Sequence, residues 1–300
     1  MCPNINEKVS NMSVGIVGSE GFIGKHLLAE FQEGFQHIEH FSRIHTVLNS
    51  SQELNEKIAN LDVLIWAASG VNPSVAAESP SKVNEELKYW RLLLDEISLK
   101  AKNLRLVFLS SGGCTYSDQD TYFSEKSVAE GTNAYGVMKV QIERMLLDRL
   151  SSSQILRLSN VYGPGQKIGK GQGVIAEWIH TALENNYVKA FGSLQSYRDY
   201  IYVSDVASAV KEIAINKTPQ KLFNIGSGSA LTLEDLFSVL NKQFDKKLTL
   251  LRMEHRSFDR LGYSLNCEEI FKQTSWKPKI DIHEGIDRTV RFELGQRALK

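Results

Sequence analysis

The sequence predicts an α/β protein built on a doubly wound parallel sheet, and three observations support this. A β-rich run, a glycine-rich turn and a helical pattern follow one another within residues 13–28. Near-continuous apolar runs of strand length recur at 62–68, 104–109 and 155–158, as expected of strands buried on both faces. Helical patterns separate these runs, which is typical of repeated βαβ units.

The composition excludes several classes of protein. With 300 residues, 42% of them hydrophobic, the chain can form one large domain or two smaller ones. Lys+Arg and Asp+Glu both number 35, so no net positive charge indicates nucleic acid or a membrane as partner. No long apolar segment predicts a membrane span or a signal peptide, so we expect a cytoplasmic protein. The three cysteines lack metal-ligand spacing, so we expect neither a disulfide framework nor a metal site.

The first strand leads into a turn that contains Gly18, Gly21 and Gly24. The first glycine permits a sharp turn, the second lets the backbone approach a pyrophosphate, and the third lets the new helix pack closely on its strand. We therefore predict a dinucleotide site, and we include Phe22 and Ile23 in it. The general fingerprint has one residue between the first two glycines and this chain has two, so a glycine-rich turn without ligand is the alternative.

The predicted second strand, residues 37–41, ends in Ser42 and Arg43, and this pair bears on the choice of cofactor. NAD-binding folds place an acidic residue here to hold the ribose 2′-hydroxyl, whereas an arginine suits the 2′-phosphate of NADP. The sequence therefore favours NADP. The alternative is NAD, with Arg43 exposed to solvent and Glu39 or Ser42 on the ribose.

Tyr135 and Lys139 lie four residues apart in a helix that opens at Ala134, so phenol and ammonium share one helix face. A nearby positive charge lowers the pKa of a phenol from its usual value of about 10, which would make it usable as an acid or base. Such pairs are also common on helix surfaces. Polar residues at 110–116 follow the predicted strand at 104–109, at the sheet edge where α/β folds bind ligands.

The rest of the chain is predicted to hold further helices and strands and to form two domains. Helices are expected at 174–184, at 205–215 with Ser204 as N-cap, at 232–243, at 266–273 and from 282 onward. A short strand is expected at 188–191, and a last short strand and turn at 222–228. We expect a dinucleotide-binding domain at 1–163, to which 199–228 return. A smaller substrate-binding domain then comprises 164–198 and 229–300.

The ordered motifs GSEGFIG, DVLIWAA, LVFLSSGG, YGVMK, NVYGPGQ, RDYIYVSDVA and FNIGSG cover nearly the whole chain. Together they resemble the extended short-chain dehydrogenase/reductases, and within them the NAD-dependent epimerase/dehydratase family of nucleotide-sugar enzymes, which have a Rossmann fold. Two residues between the first two glycines are normal in that family. The resemblance implies that Tyr135 is the acid/base and that Lys139 binds the nicotinamide ribose and lowers the tyrosine pKa. It also implies that Ala67 and Ala68 line the cofactor.

By the same resemblance, the substrate is a nucleoside-diphosphate sugar. Asn160 would hold it, and Arg198 and Arg256 would neutralise its pyrophosphate. The resemblance also implies a homodimer, formed by the helices at 81–101 and 135–150, and we expect Leu93 and Leu94 to supply apolar area there.

One departure concerns the catalytic hydroxyl. Where the family has serine or threonine, this chain has Gly112. We expect Ser111 to take the role, with Thr115 as the substitute; alternatively Ser111 only caps the strand and Tyr135 works with water. The Asp-Glu pair of the family's dehydratases is replaced by Gly113 and Cys114, which argues against dehydration.

The reaction that these features favour is NADPH-dependent reduction of a 4-keto nucleoside-diphosphate sugar, with Tyr135 as proton donor. The alternative is a nucleotide-sugar 4-epimerase with tightly bound NAD. A third hypothesis is a dinucleotide-sensing protein without activity, against which the intact Tyr135 and Lys139 argue. The base and the sugar of the substrate depend on the least patterned segments, 166–196 and 246–264.

Overall fold

The computed structural model describes residues 11–117, 121–169, 173–216, 218–254 and 262–299. The strands are β1 (Ser13–Val17), β2 (His37–Phe41), β3 (Val63–Trp66), β4 (Arg105–Ser111), β5 (Tyr122–Phe123), β6 (Gln154–Leu158), β7 (Asn160–Tyr162), β8 (Tyr187–Phe191), β9 (Tyr197–Tyr202), β10 (Leu222–Ile225), β11 (Ala230–Thr232), β12 (Thr249–Met253) and β13 (Gly262–Leu265). The helices are α1 (Phe22–Gln32), α2 (Glu56–Ala59), α3 (Pro73–Glu78), α4 (Pro80–Lys100), α5 (Gly112–Thr115), α6 (Ala134–Arg149), α7 (Val174–Asn185), α8 (Val203–Ile215), α9 (Leu233–Asn241), α10 (Glu268–Gln273) and α11 (Ile282–Ala298).

Six of the strands form one parallel sheet in the order β2-β1-β3-β4-β6-β10. The predicted α/β fold with a doubly wound parallel sheet is confirmed. Strands β3 and β6 are buried along their whole length, which explains their apolar sequence. Strand β1 lies between β2 and β3, so the sheet is extended on opposite sides of β1 by the strands that follow it in sequence. Such sheets bind ligands in the crevice at this point, which here lies at the carboxyl ends of β1 and β3.

Helices cover both faces of this sheet. On one face α1 and α8 pack on an apolar cluster that includes Phe31, Val210 and Ile213. The ammonium of Lys211 in α8 donates to the backbone oxygen of Glu30 at 2.7 Å, which fixes α8 against α1. The second face is covered by α4 and α6.

The structure corrects the prediction that Leu93 and Leu94 supply apolar area to a dimer interface. Both side chains are fully buried within the chain, in the cluster that joins α4 and α6 to the sheet. The helical spacing of these two leucines correctly indicated buried positions, but they are buried inside the chain and not between two subunits. On the same two helices the large apolar side chains that are exposed are Leu99, Val137 and Leu147.

The remaining strands lie apart from the main sheet. Strands β11, β9, β13 and β5 form a second sheet in that order, with β7 also paired to β9, and β8 pairs with β12. A third apolar cluster, containing Trp178, Ile179 and Leu236, packs α7, α9 and α11 around this part. Within residues 199–228, β10 belongs to the main sheet and α8 packs on that sheet, whereas β9 belongs to the second sheet. The division into a dinucleotide-binding and a substrate-binding domain stays a prediction.

Most predicted elements appear within a few residues of their expected ends, but the N-cap of α8 was wrong. The helix begins at Val203, and its N-cap is Tyr202, whose side chain makes no capping bond. Strand β9 runs directly into the helix, so Ser204 lies inside the first turn. Among the described residues, no helix combines the length and apolarity that a membrane span requires.

Candidate active site

The turn after β1 is built by close backbone contacts between glycines. Gly18 has φ +84°, a left-handed conformation that favours glycine, and its N–H donates to the oxygen of Phe41 at 2.8 Å. Gly21 N–H donates to Gly18 O at 2.8 Å. A Cβ on Gly24 would overlap that same Gly18 oxygen. The turn therefore holds the start of α1 tightly against the end of β1.

This turn fits the pyrophosphate of a dinucleotide. Helix α1 has Gly21 as N-cap, no capping side chain and no acidic residue in its first turn, so its first N–H groups suit an anion. A Cβ on Gly18 would lie 3.0 Å from the oxygen of Ala67 and from the Cβ of Ala68. The small residues after β3 thus border the turn at the switch point of the sheet. The geometry brings together Gly18, Gly21, Phe22, Ile23, Gly24, Ala67 and Ala68, and their role as a dinucleotide site stays a prediction.

Ser42 and Arg43 follow β2 beside the glycine turn. The Ser42 hydroxyl accepts from the N–H groups of Ile44 and His45 at 3.2 and 3.4 Å, which makes a tight turn. Arg43 is exposed, and the described residues offer its guanidinium no ion-pair partner. Glu39 lies in the middle of β2, opposite Gly15, and pairs with Lys57 at 2.8 Å. This placement disfavours the alternative in which Glu39 holds the ribose.

Tyr135 lies in the first turn of α6 beside the loop that follows β4. Asn133 caps the helix by accepting from Gly136 N–H at 2.9 Å. A Cβ on Gly136 would overlap the oxygen of Cys114, so α6 begins in direct contact with that loop. Lys139 lies one turn further along and is buried, with Nζ 4.6 Å from the ring centroid of Phe108 and 5.6 Å from that of Tyr135.

The prediction that Lys139 lowers the pKa of Tyr135 was wrong. Burial is the largest influence on both side chains: it raises the pKa of Tyr135 well above its usual value, and the charges of Cys114 and Glu86 raise it further. Burial lowers the pKa of Lys139 to about 8, although the carboxylates of Glu86 and Glu143 oppose this shift. The desolvation of the phenol outweighs a cation that lies over the ring. Near neutral pH, Tyr135 therefore holds its proton.

Among the candidate hydroxyls, the geometry favours Ser111. Ser111 lines the same cleft as Tyr135, whereas Thr115 is fully buried and donates to the Ser111 backbone oxygen at 2.6 Å. A Cβ on Gly112 would meet Leu265 at 2.6 Å and the oxygen of Leu158 at 3.1 Å. Position 112 thus faces the apolar core, so a side chain there would not enter the cleft. Because the Thr115 hydroxyl is buried and already hydrogen-bonded, Thr115 is a poor substitute for Ser111 as the catalytic hydroxyl.

A buried ion pair between Glu143 and Arg157 connects α6 to the main sheet. Arg157 donates to Glu143 at 2.5 Å, and the hydroxyl of Ser110 donates to the same carboxylate at 2.5 Å. The guanidinium also lies over the ring of Tyr116, 4.5 Å from its centroid. Both charged side chains are about 5% exposed or less, and the pair joins α6 to β4 and β6 one turn beyond Lys139. Sequence reasoning missed this pair because its partners lie on separate elements.

Asn160 and Arg198, two of the three predicted substrate residues, line a cleft of about 780 Å³ that also contains Phe22, Ser111 and Tyr135. Asn160 Nδ2 donates to the hydroxyl of Tyr263 at 2.8 Å and to the oxygen of Asp199 at 3.0 Å. Arg198 lines the cleft with its guanidinium 5.8 Å from the Tyr263 ring centroid. The size suits a small-molecule ligand, and Arg198 gives it a positive charge.

Tyr263 is a cleft residue that the sequence did not reveal. It is buried, and a Cβ on Gly113 would overlap its hydroxyl, so it packs directly against α5, the short helix that follows Ser111. It lies in one of the least patterned segments, so its only signal would have been a lone aromatic residue. Arg256, predicted to bind pyrophosphate, lies outside the described residues. Within the described ranges, no cluster of His, Cys, Asp and Glu side chains could hold a metal ion.

Comparison with known proteins identifies the family. Residues 14–226 match the model of the NAD dependent epimerase/dehydratase family. The chain is 29% identical, over 92% of its length and 96% of the other protein, to the dTDP-4-dehydro-6-deoxyglucose reductase of Escherichia coli. It is 28% identical over 63% of its length to the UDP-glucose 4-epimerase of Mycolicibacterium smegmatis, covering 62% of that protein.

Solved structures share the fold. The UDP-glucose 4-epimerase of Thermus thermophilus in complex with NAD superposes with a TM-score of 0.82 at 23% identity, over 95% of this chain and 99% of that one. The UDP-N-acetylglucosamine 4-epimerase of Methanobrevibacter ruminantium gives 0.85 at 19% identity, over 96% and 99%. The family match covers more than two thirds of the chain, including the glycine turn, Tyr135 and Lys139. The protein therefore belongs to the NAD-dependent epimerase/dehydratase family of extended short-chain dehydrogenase/reductases and is an NAD(P)-dependent enzyme.

Proposed function

We propose that the protein reduces a 4-keto nucleoside-diphosphate sugar with NADPH. The observation that carries this proposal is that Tyr135, Ser111 and Arg198 line one cleft that adjoins the glycine turn. The similarity to a 4-dehydro-sugar nucleotide reductase over nearly the whole chain supports the same reaction.

Tyr135 is the proposed proton donor. Burial keeps the phenol protonated near neutral pH, so it can deliver a proton to the carbonyl oxygen as that oxygen gains negative charge. The Ser111 hydroxyl is proposed to donate a hydrogen bond to the same oxygen and to orient the carbonyl. Both groups lie at the carboxyl edge of the sheet, where β4 ends and α6 begins.

The residues proposed to hold the cofactor are the glycine turn, Ala67, Ala68, Lys139 and Arg43. When bound, NADPH supplies the hydride that reduces the sugar carbonyl. The buried ammonium of Lys139 is proposed to bind the nicotinamide ribose, and its charge also favours the phenolate that remains after Tyr135 has given up its proton. Arg43, exposed beside the glycine turn, is proposed to meet the 2′-phosphate of NADPH.

The second candidate is a 4-epimerase with tightly bound NAD. It would use the same Tyr135 and Lys139, and the similarity to UDP-glucose 4-epimerases supports it. A dinucleotide-sensing protein without activity is the weakest candidate, because Tyr135 and Lys139 are both in place. What distinguishes the first two is whether Arg43 contacts a 2′-phosphate.

Asn160 and Arg198 are the proposed substrate residues within the described part of the chain. The guanidinium is proposed to pair with the substrate diphosphate, and Arg256 is proposed to assist from outside the described residues. We also propose that the protein is a cytoplasmic homodimer assembled through α4 and α6. Leu99, Val137 and Leu147 are the apolar side chains available on those helices for that contact.

One assay tests these candidates together. The protein is incubated with UDP-, dTDP- and GDP-sugars and with their 4-keto-6-deoxy forms, while NADPH absorbance and product stereochemistry are followed. Consumption of NADPH with a 4-keto substrate supports the reductase. Interconversion of two sugars without added cofactor supports the epimerase, and no turnover of any compound by folded protein contradicts both.

A further inference from the structure

Three unpartnered polar atoms lie in the cleft. Among the described residues, five buried side-chain polar atoms have no hydrogen-bond partner: Ser153 Oγ, Arg157 Nη1, Ser159 Oγ, Gln166 Oε1 and Tyr200 Oη. Ser159, Gln166 and Tyr200 line the cleft that contains Tyr135, whereas Ser153 and Arg157 do not. A polar group that is buried without a partner destabilises the folded protein. Three such groups in one cleft indicate a ligand that provides their partners.

Ser159 directly follows Leu158, which is the register partner of Ser111 in the pairing of β4 with β6. Its N–H donates to Ile225 O at 2.8 Å, so the strand pairing of β6 continues through it, and the residue is only 7% exposed. Arg157, two residues earlier, turns toward Glu143 of α6. Because side chains alternate along a strand, the Ser159 hydroxyl faces the α6 side, which is the side that carries Tyr135.

Gln166 restricts the chemistry of the ligand. Its Nε2 donates to Val161 O at 3.1 Å, which identifies Oε1 as the unpartnered end. An amide oxygen only accepts hydrogen bonds, and the oxygens of a diphosphate at neutral pH also only accept. The ligand group at Gln166 must therefore carry an O–H or N–H.

Tyr200 provides a second hydroxyl in the same region. It lies opposite Asn160 in the pairing of β7 with β9, and the residue is 7% exposed. A hydroxyl can donate as well as accept, and so can every hydroxyl of a sugar ring. Two protein hydroxyls and one amide oxygen therefore match a polyhydroxylated ring better than they match a diphosphate.

We propose that Ser159, Gln166 and Tyr200 bind hydroxyl groups of the substrate's sugar and select which sugar is accepted. This inference rests on the proposed function and assigns the sugar end of the cleft to these three residues. Arg198 is still the residue that is proposed to bind the diphosphate. The imide N–H of a pyrimidine base is the competing partner for Gln166, and the experiment separates it from the sugar.

The test measures binding by calorimetry to the full chain loaded with cofactor. The probes are UDP and dTDP, which lack the sugar, and UDP-glucose and dTDP-glucose, which carry it. The variants Ser159→Ala and Tyr200→Phe each remove one hydroxyl, and Gln166→Leu removes the acceptor. Ser153→Ala is the matched control, because it removes a buried, unpartnered hydroxyl at the other end of β6, outside the cleft.

We expect Ser159→Ala and Tyr200→Phe each to weaken binding of the nucleotide-sugar that the native protein binds by about 3- to 10-fold, the effect of one hydrogen bond. Binding of UDP or dTDP stays unchanged. Their melting temperatures do not fall, because no protein contact is lost, and Ser153→Ala changes no affinity. Equal losses for the nucleotide and its sugar, or no loss in any variant, would overturn the inference. Native protein that binds none of the four probes, and neither GDP nor GDP-glucose, would instead contradict the proposed function itself.

Discussion

The ammonium of Lys139 lies over the ring of Tyr135, with Nζ 5.6 Å from the ring centroid. The same ammonium lies closer to the ring of Phe108, so a cation is held in largely apolar surroundings. Among the described residues it meets no hydrogen-bond acceptor. The protein thus maintains a desolvated charge next to a neutral phenol, an arrangement that opposes stability and suits the binding of a polar ligand.

Removing the Tyr135 hydroxyl tests the assignment of the proton donor. Tyr135→Phe removes only the hydroxyl and keeps the aromatic ring. Cofactor binding therefore stays close to native, while turnover falls by at least ~100-fold. Tyr89→Phe is the control, because Tyr89 is a half-buried tyrosine of α4 that packs against Trp66 and does not line the cleft. Steady-state kinetics and cofactor titration of both variants provide the measurement. Turnover of Tyr135→Phe within a few-fold of native would refute the role.

The pKa of Lys139 predicts how cofactor binding depends on pH. With a pKa of about 8, the side chain is a cation at pH 7 and mostly neutral above pH 9. If the cation binds the nicotinamide ribose, cofactor affinity falls as the pH rises through about 8. Lys139→Met should bind cofactor more weakly at pH 7 and lose this pH dependence. Fluorescence titration between pH 6.5 and 9.5 measures it, and parallel profiles for the two proteins would contradict the role.

The same group makes a prediction about stability. The pKa of Lys139 falls from 10.5 to about 8 on folding, so between these values the unfolded chain binds more protons. Its destabilising contribution is therefore fully present below pH 8 and disappears as the pH rises toward 10.5. Lys139→Met should raise the free energy of unfolding at pH 7 by roughly 3 kcal/mol or less, since part of the gain is lost in repacking. The difference should shrink by pH 10 in urea denaturation, and a constant difference would count against the shift.

The buried pair of Glu143 and Arg157 predicts a large loss of stability on mutation. Glu143→Leu leaves a buried guanidinium without its carboxylate and removes the acceptor of Ser110, so the free energy of unfolding falls by about 3–5 kcal/mol. Glu284→Leu breaks the exposed pair with Arg288 within α11, and it should cost less than about 1 kcal/mol. Chemical denaturation of both variants tests the contrast. Similar losses would mean that the buried pair is solvated.

The sequence predicted those parts of the fold and site that depend on local patterns. The apolar runs of β3, β4 and β6, the glycine spacing at Gly18 and the four-residue spacing of Tyr135 and Lys139 are all visible within short segments. The partners of Glu143 and Asn160 could not be predicted, because Arg157 and Tyr263 reach them from other elements. The pKa of Tyr135 was mispredicted for a similar reason: spacing places a charge near the phenol but does not reveal how deeply both groups are buried.

The close contact of Gly24 with Gly18 predicts a combined loss of stability and cofactor binding. Gly24→Ala would place a methyl group on the Gly18 oxygen, so the turn must shift away from α1. We expect cofactor affinity to fall at least ~10-fold, with a lower melting temperature. Gly295→Ala in α11, where a Cβ meets no neighbour within 4 Å, should leave affinity unchanged and stabilise the helix by about 0.5–1 kcal/mol. Native cofactor affinity in Gly24→Ala would argue against the turn as the pyrophosphate site.

The last prediction concerns Arg43, because it separates the reductase from the epimerase. Arg43 is exposed beside the glycine turn and has no ion-pair partner among the described residues, so its charge is available to a 2′-phosphate. One charge-assisted contact contributes ~1.5–3 kcal/mol, which corresponds to a preference for NADPH over NADH of roughly tenfold to a hundredfold. Arg43→Ala should remove most of that preference through weaker NADPH binding and leave NADH binding nearly unchanged, because NADH offers the guanidinium no phosphate.

The control is Lys57→Ala, which removes a nearby cation that already pairs with Glu39 and should alter neither cofactor's affinity. Titrations with both cofactors measure the four affinities. A shared loss for NADPH and NADH in Arg43→Ala would indicate damage to the turn after β2 rather than loss of a phosphate contact. If the purified protein instead carries bound NAD and interconverts sugars without added reductant, Arg43 has no phosphate partner, and the ribose is held by Ser42, whose hydroxyl lies in the same turn, or by Glu39. The epimerase would then replace the reductase as the function of the site.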